Sequence, residues 1–202
     1  MSEPVSLQPG DALVVVDVQY DFLPGGSLGV PGADAILPVL RRCLDLFQQH
    51  RLPVFATRDW HPPDHCSFQE QGGPWPPHCV QGTRGAEFPP ELELPSRAYI
   101  VSKGTDRDRD AYSGFQDTEL HARLQERGVR RLFVGGLATD YCVKATVLDA
   151  LERGYGVYVL TDAVRAVDVQ PGDGQRALEE MQAAGAQCVS LEGISQEQER
   201  QI

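Results

Sequence analysis

Leu132-Phe-Val-Gly-Gly-Leu-Ala-Thr-Asp-Tyr-Cys142 reads as a buried strand, a glycine-rich break and the opening of a helix. A continuous apolar run of this kind fits a strand covered on both faces, as in a parallel sheet. Three other runs end in the same way: Leu13-Val-Val-Val16 before Asp17, Val54-Phe-Ala-Thr-Arg58 before Asp59, and Tyr99-Ile-Val-Ser102 before Lys103. If all four are parallel strands, four reactive side chains gather at one edge of one sheet. Open α/β sheets place their sites at that edge.

The rest of the chain repeats the alternation. Strands are predicted at residues 13–17, 54–58, 99–102, 131–135, 156–161 and 187–191. Between them lie helical patterns. From Asp34, apolar residues recur at Ile36, Leu37, Leu40, Cys43, Leu44 and Phe47; Leu120 and Leu124 precede Gly128; Val143, Val147 and Leu151 share a face before Gly154; Ala177, Leu178, Met181 and Ala184 do so before Gly185. Repeated β-α units imply an α/β fold of three layers, a six-stranded parallel sheet between helices. Residues 59–98 and 104–116 show little periodicity, and structureless stretches of the first length are usually functional.

The 202 residues suit one domain over 1–202. The formal charge of −11 disfavours nucleic acid and anionic membrane as partners; it does not identify a substrate, and a small-molecule substrate without charge is compatible with it. No apolar run reaches membrane-spanning length, and the N-terminus lacks a basic patch followed by an apolar stretch. Five scattered cysteines do not form a disulfide framework and fit a reducing cytosol, so a cytoplasmic location is expected. Self-association is compatible with the architecture, and nothing in the sequence proves it.

Cys142 attacks an amide well only with a base, a nearby cation or a helix N-terminus. Asp17 is the candidate base, Lys103 the cation, and the Ala138–Cys142 turn a source of N–H donors for an oxyanion, each typically worth roughly 3 kcal/mol of barrier. A helix dipole at Cys142 is expected to favour thiolate. Alone, each residue has a plainer reading: a buried small hydrophobe, a strand-end cap and a surface ammonium. Their convergence after apolar strands favours chemistry.

Asp59-Trp-His61 puts two ligand types at i and i+2, on one face of an extended chain, and His78 follows in a Pro-rich loop. One carboxylate and two imidazoles leave coordination positions open, as a catalytic metal site requires. The expected cofactor is one divalent ion, zinc, with iron and manganese also suited to these ligands. His65, Asp64 or a water could complete the set. A closed zinc site of His61, Cys66, His78 and Cys79 is the weaker alternative, because the cysteines form no CxxC pair.

The chain resembles the nicotinamidases of the isochorismatase-like cysteine hydrolase family. The segments that carry the resemblance are Asp17-Val-Gln-Tyr-Asp-Phe22, Asp59-Trp-His-Pro-Pro-Asp-His65, Gly73-Pro-Trp-Pro-Pro-His-Cys-Val-Gln-Gly-Thr83, Lys103-Gly-Thr105, Asp110-Ala-Tyr-Ser-Gly-Phe115 and Gly136-Leu-Ala-Thr-Asp-Tyr-Cys142, in that order. The resemblance implies a catalytic triad of Asp17, Lys103 and Cys142, metal ligation by Asp59, His61 and His78, and a cis peptide at Leu137–Ala138 that would aim the Ala138 and Cys142 amides at the oxyanion. It implies that Phe22, Trp75 and Tyr112 enclose a pyridine ring, and that nicotinamide is deamidated to nicotinate and ammonia. One departure is Tyr20, where such enzymes usually carry a small polar residue. The rival readings are a related amidase for carbamoyl or ureido substrates, a vinyl ether hydrolase of the isochorismate type, and a non-catalytic metal-binding module.

Overall fold

A computed structural model describes residues 4–195. Six strands form one sheet: β1 (Asp11–Val16), β2 (Val54–Asp59), β3 (Tyr99–Lys103), β4 (Arg131–Leu137), β5 (Gly156–Arg165) and β6 (Gln187–Val189). Their order is β3-β2-β1-β4-β5-β6, and every pairing is parallel. The chain first winds outward from β1 through β2 to β3, then returns to place β4 on the other side of β1. The strand order therefore reverses between β1 and β4, where doubly wound sheets open a crevice.

The side-chain alternation of β1 builds two cores. Leu13 and Val15 face α1 (Leu37–Gln49), together with Ala56, Phe133 and Leu160. Ala12, Val14 and Val16 face the opposite layer of α2 (Leu120–Glu126), α3 (Lys144–Glu152) and α4 (Asp173–Ala183), through Leu120, Leu124, Val147 and Met181. All six residues of β1 are buried, which is why this run lacks polar alternation. Burying one Leu or Phe fully is worth about 1.5–3 kcal/mol, so the two layers supply the main driving force.

Helix α1 starts at Leu37, after a 3₁₀ turn over Ala33–Ile36, with Pro38 in its first turn, where no intrahelical N–H is lost. The expected helix start at Asp34 falls in that turn. Gly128, at φ +64°, ends α2, and Val129 N–H bonds back to Leu124 O. Residues 60–98 form no long element. They are pinned by backbone bridges between His61 and Val80 and between Phe68 and Trp75.

Candidate active site

The carboxyl ends of β1 to β4 hold the reactive residues. Asp17 follows β1 with φ +49°, a left-handed kink that turns the chain out of the sheet. Asp59 and Lys103 end β2 and β3 and are register partners, so their side chains leave the sheet together. Cys142 follows β4. Here the expected helical start is replaced by a π-turn over Thr139–Val143, where Tyr141 and Val143 N–H both donate to Ala138 O. The widened turn precedes α3, so Cys142 lies one residue pair short of the α-helix proper. Leu137–Ala138 is cis, as the resemblance implied.

Lys103 is the hub. Its fully buried Nζ lies 2.8 Å from Asp17 Oδ2, 2.5 Å from Asp59 Oδ1, 3.2 Å from Ala111 O and 3.3 Å from Cys142 Sγ. Thr57 Oγ1 donates to Asp17 Oδ1 at 2.7 Å. The ion pair to Lys103 is close but poorly directed, so Asp17 Oδ2 takes no proper hydrogen bond there; no other buried side-chain N or O atom among the described residues lacks one. One carboxylate oxygen each of Asp17 and Asp59 and the Cys142 sulfur lie within 4.8 Å of one another.

Electrostatics set the resting protonation. Burial alone would discharge Lys103, but Asp17 and Asp59 outweigh it and hold the ammonium well above its ordinary range. Burial also favours neutral Asp59, yet Lys103 and then His61 pull its carboxyl below the usual range. Burial pushes Asp17 up, against the pull of Lys103 and with the push of Asp59. Burial raises the Cys142 thiol well above its ordinary value; Lys103 opposes this, and the two carboxylates add to it. Burial and the two carboxylates thus work against the thiolate that a helix dipole favours, while Lys103 works with it.

Asp59 joins this cluster to the next. Its Oδ1 serves Lys103, while Oδ2 lies 3.4 Å from His61 Nε2 and 3.8 Å from His78 Nε2. His61 Nδ1 is bonded to Gly104 O and His78 Nδ1 to Pro76 O, each at 2.8 Å. Those carbonyls accept the Nδ1 protons and turn both Nε2 atoms toward Asp59, the arrangement typical of imidazole metal ligands. Two carboxylates against one ammonium leave the buried cluster short of positive charge, and the gap between Oδ2 and the two Nε2 atoms is where a cation fits. The His61–Val80 bridge brings His78 beside His61.

His65 does not join them. It is buried with Nδ1 on Ser67 Oγ at 2.7 Å and Nε2 against Arg109 O at 3.0 Å, and its ring stacks on His61 at 4.1 Å. It supports the His61 ring. Asp64 pairs outward with Arg107 at 3.0 Å. The alternative His/Cys zinc set is not assembled: Cys79 is buried against Gly85 O, and the groups of potential ligands among the described residues do not include it or Cys66.

A cavity of about 80 Å³ opens over Cys142. Phe22, Trp75 and Tyr112 line it, with Asp59 and His78 on one side and Leu137 and Ala138 on another. Trp75 Nε1 donates to Tyr112 Oη at 3.0 Å, which fixes both rings. Five wall residues were not anticipated: Leu28, Gly29, Val30, Tyr141 and Val167. They lie outside any periodic pattern. Tyr141 neighbours Cys142 in sequence and could have been suspected on that ground. Gln19 and Thr57 were also missed; each is a polar residue inside or just after an apolar run, and that is the available signal. Tyr20 packs under Arg84, whose guanidinium lies 4.7 Å from its ring centre, so the departure from the usual small residue braces the neighbouring loop.

Comparison with known proteins agrees with this geometry. Residues 11–193 match the isochorismatase domain. A nicotinamidase of Escherichia coli is 42% identical over 204 residues, covering 91% of this chain and 96% of the relative. A pyrazinamidase of Pyrococcus horikoshii, solved in complex with zinc, superposes with a TM-score of 0.87 at 50% identity, covering 91% of this chain and all (100%) of that one. PnC1 of L. infantum, solved in complex with nicotinate, gives a TM-score of 0.86 at 35% identity, covering 96% and 99%. With its fold and nearly its whole length in agreement, the chain belongs to the isochorismatase domain family.

Proposed function

We propose that this chain is a nicotinamidase, a single-domain cysteine amidohydrolase that converts nicotinamide and water to nicotinate and ammonia. The observation that carries the reading is the shared carboxylate. Asp59 ties the Asp17–Lys103–Cys142 cluster to His61 and His78, so a nucleophile and a metal-ligand set meet at one small aromatic cavity.

The pyridine ring sits among Phe22, Trp75 and Tyr112, whose flat apolar faces suit an uncharged aromatic. Asp59, His61 and His78 would hold a divalent ion; zinc suits this set of one oxygen and two nitrogen donors, and when bound it supplies a Lewis-acidic anchor for the ring nitrogen. Asp17 Oδ2 takes the Cys142 proton as sulfur attacks the carboxamide carbon, while Lys103 keeps the charged intermediate pair compensated. The oxyanion is received by the Ala138 and Cys142 N–H groups. Asp17 then gives its proton to the departing nitrogen, releasing ammonia and leaving a thioester. Water, deprotonated by Asp17, opens the thioester to nicotinate and restores the thiol. The aromatic cavity together with the Asp/His/His set favours a pyridine carboxamide over carbamoyl or ureido substrates.

Ammonia release from a panel of amides tests this. Wild type should turn over nicotinamide, and Cys142→Ala should show no release above background while remaining folded. Wild-type rates in that variant would overturn the mechanism, and preferential turnover of a ureido substrate would overturn the substrate assignment.

A further inference from the structure

A second cavity among the described residues is larger than the one over Cys142. A cleft of about 320 Å³ lies at the opposite edge of the sheet, at the amino ends of β2 and β3. Val54 and Tyr99 lie at its base, and Leu52, Pro53, Pro95 and Ala98 add apolar surface. From Val54 to Asp59 the strand spans roughly 16 Å at about 3.3 Å per residue, so the two cavities are separate.

Three arginines line this cleft: Arg51 after α1, Arg97 before β3 and Arg127 after α2. None has a carboxylate within ion-pair distance among the described residues. The acidic residues close to them in sequence are engaged elsewhere: Glu93 by Arg41 at 2.8 Å and Glu126 by Arg123 at 3.3 Å. A cation after a helix C-terminus complements the helix dipole, which accounts for Arg51 and Arg127 singly. It does not account for Arg97, nor for three like charges around one hollow in a chain of net charge −11. Three arginines lining one hollow make it attractive to an anion.

We propose that this cleft binds a compact, phosphate-rich anion, read through its diphosphate group. Guanidinium groups present paired N–H donors that match phosphate oxygens. The cleft volume lies at the lower end of the range, roughly 300–1,000 Å³, typical of small-molecule sites. Recognition by base stacking is closed off: Phe55 stacks on Tyr99 at 5.0 Å and Arg127 lies 4.5 Å from the Tyr99 ring centre. Charge on the anion therefore dominates. The diphosphate could be free or carried by a nucleotide.

Calorimetric titration of the metal-loaded full chain with inorganic pyrophosphate, and separately with ADP, tests the assignment. Pyrophosphate should bind and weaken as salt rises. A variant carrying Arg51→Asn and Arg97→Gln should bind at least tenfold more weakly, with unchanged circular dichroism and basal ammonia release; Asn suits position 51, where φ is +56°. Arg97→Glu alone should abolish binding. Equal affinity for both probes assigns the free diphosphate, and tighter ADP binding assigns the nucleotide. Absence of binding by wild type, or undiminished binding by the double variant, which would place the anion at the metal ligands instead, overturns the proposal.

Discussion

Gln19 is fully buried, and its side-chain amide bonds only to main chain: Nε2 donates to Asp59 O at 2.8 Å and to Ala86 O at 2.9 Å, and Oε1 accepts the Asp59 N–H at 2.8 Å. It thus holds the backbone of the residue shared by both clusters. Gln19→Leu strands two buried polar groups of Asp59, and each such group costs about 1–3 kcal/mol. Urea unfolding should show a loss of about 3 kcal/mol, and metal analysis after dialysis should show at least about tenfold weaker retention, as for other outer residues around metal ligands. A loss below about 1 kcal/mol with full metal content would contradict this role. Asp17, Asp59, Lys103 and Cys142 were legible in the sequence because reactive side chains directly follow apolar runs. Gln19 was not, because its importance lies in a partner 40 residues away. The degree of burial of the Cys142 sulfur was not legible either: a helix dipole can be anticipated from local sequence, whereas complete burial, which raises the thiol, is set by tertiary packing.

Two glycines show how whole elements set the site. Gly136 on β4 lies at φ +122°, and a Cβ there would collide with the backbone of Val16, so the close approach of β4 to β1 at the strand reversal depends on its missing side chain. Gly104, after β3, has φ +61°, and its added Cβ would strike the His61 ring. Gly104→Ala should therefore displace an imidazole without touching the nucleophile. We expect metal retention to fall by about tenfold or more, measured by metal analysis after dialysis, with the far-ultraviolet spectrum unchanged. Full retention would show that the loop after β3 can yield. The long segment between β2 and β3 was legible only as an irregular, functional stretch. Its two short bridges pair residues whose local sequence carries no strand periodicity, and they place His78 and Trp75.

At the scale of the whole molecule, the layers bury thiols that the reaction does not use. Cys43, on the buried face of α1, is fully buried, and burial pushes its thiol up to about 12. A folded-state value above the unfolded one of about 9 makes its contribution complete below pH 9, and that contribution is lost as pH rises toward 12. In that window the unfolded chain has released a proton that the native chain retains, so unfolding free energy should fall by about 1.4 kcal/mol per pH unit on this account. Urea unfolding at pH 8 and pH 10 should show a steeper alkaline loss in wild type than in Cys43→Ala; identical slopes would rule the linkage out. Among the described residues no helix is long and apolar enough to cross a membrane, in line with the absence of such a run in the sequence. The order of strands and helices, the catalytic edge and the residue types gathered there were all determined by the sequence alone, because apolar periodicity and strand-end placement are local properties of a chain. Only the tertiary structure decided that Asp59 serves two clusters, that His65 braces rather than ligates, that the Cys142 sulfur is buried, and that three arginines line a second cleft. Each of these depends on distances between segments far apart in the chain, which packing of the layers fixes and local pattern does not encode.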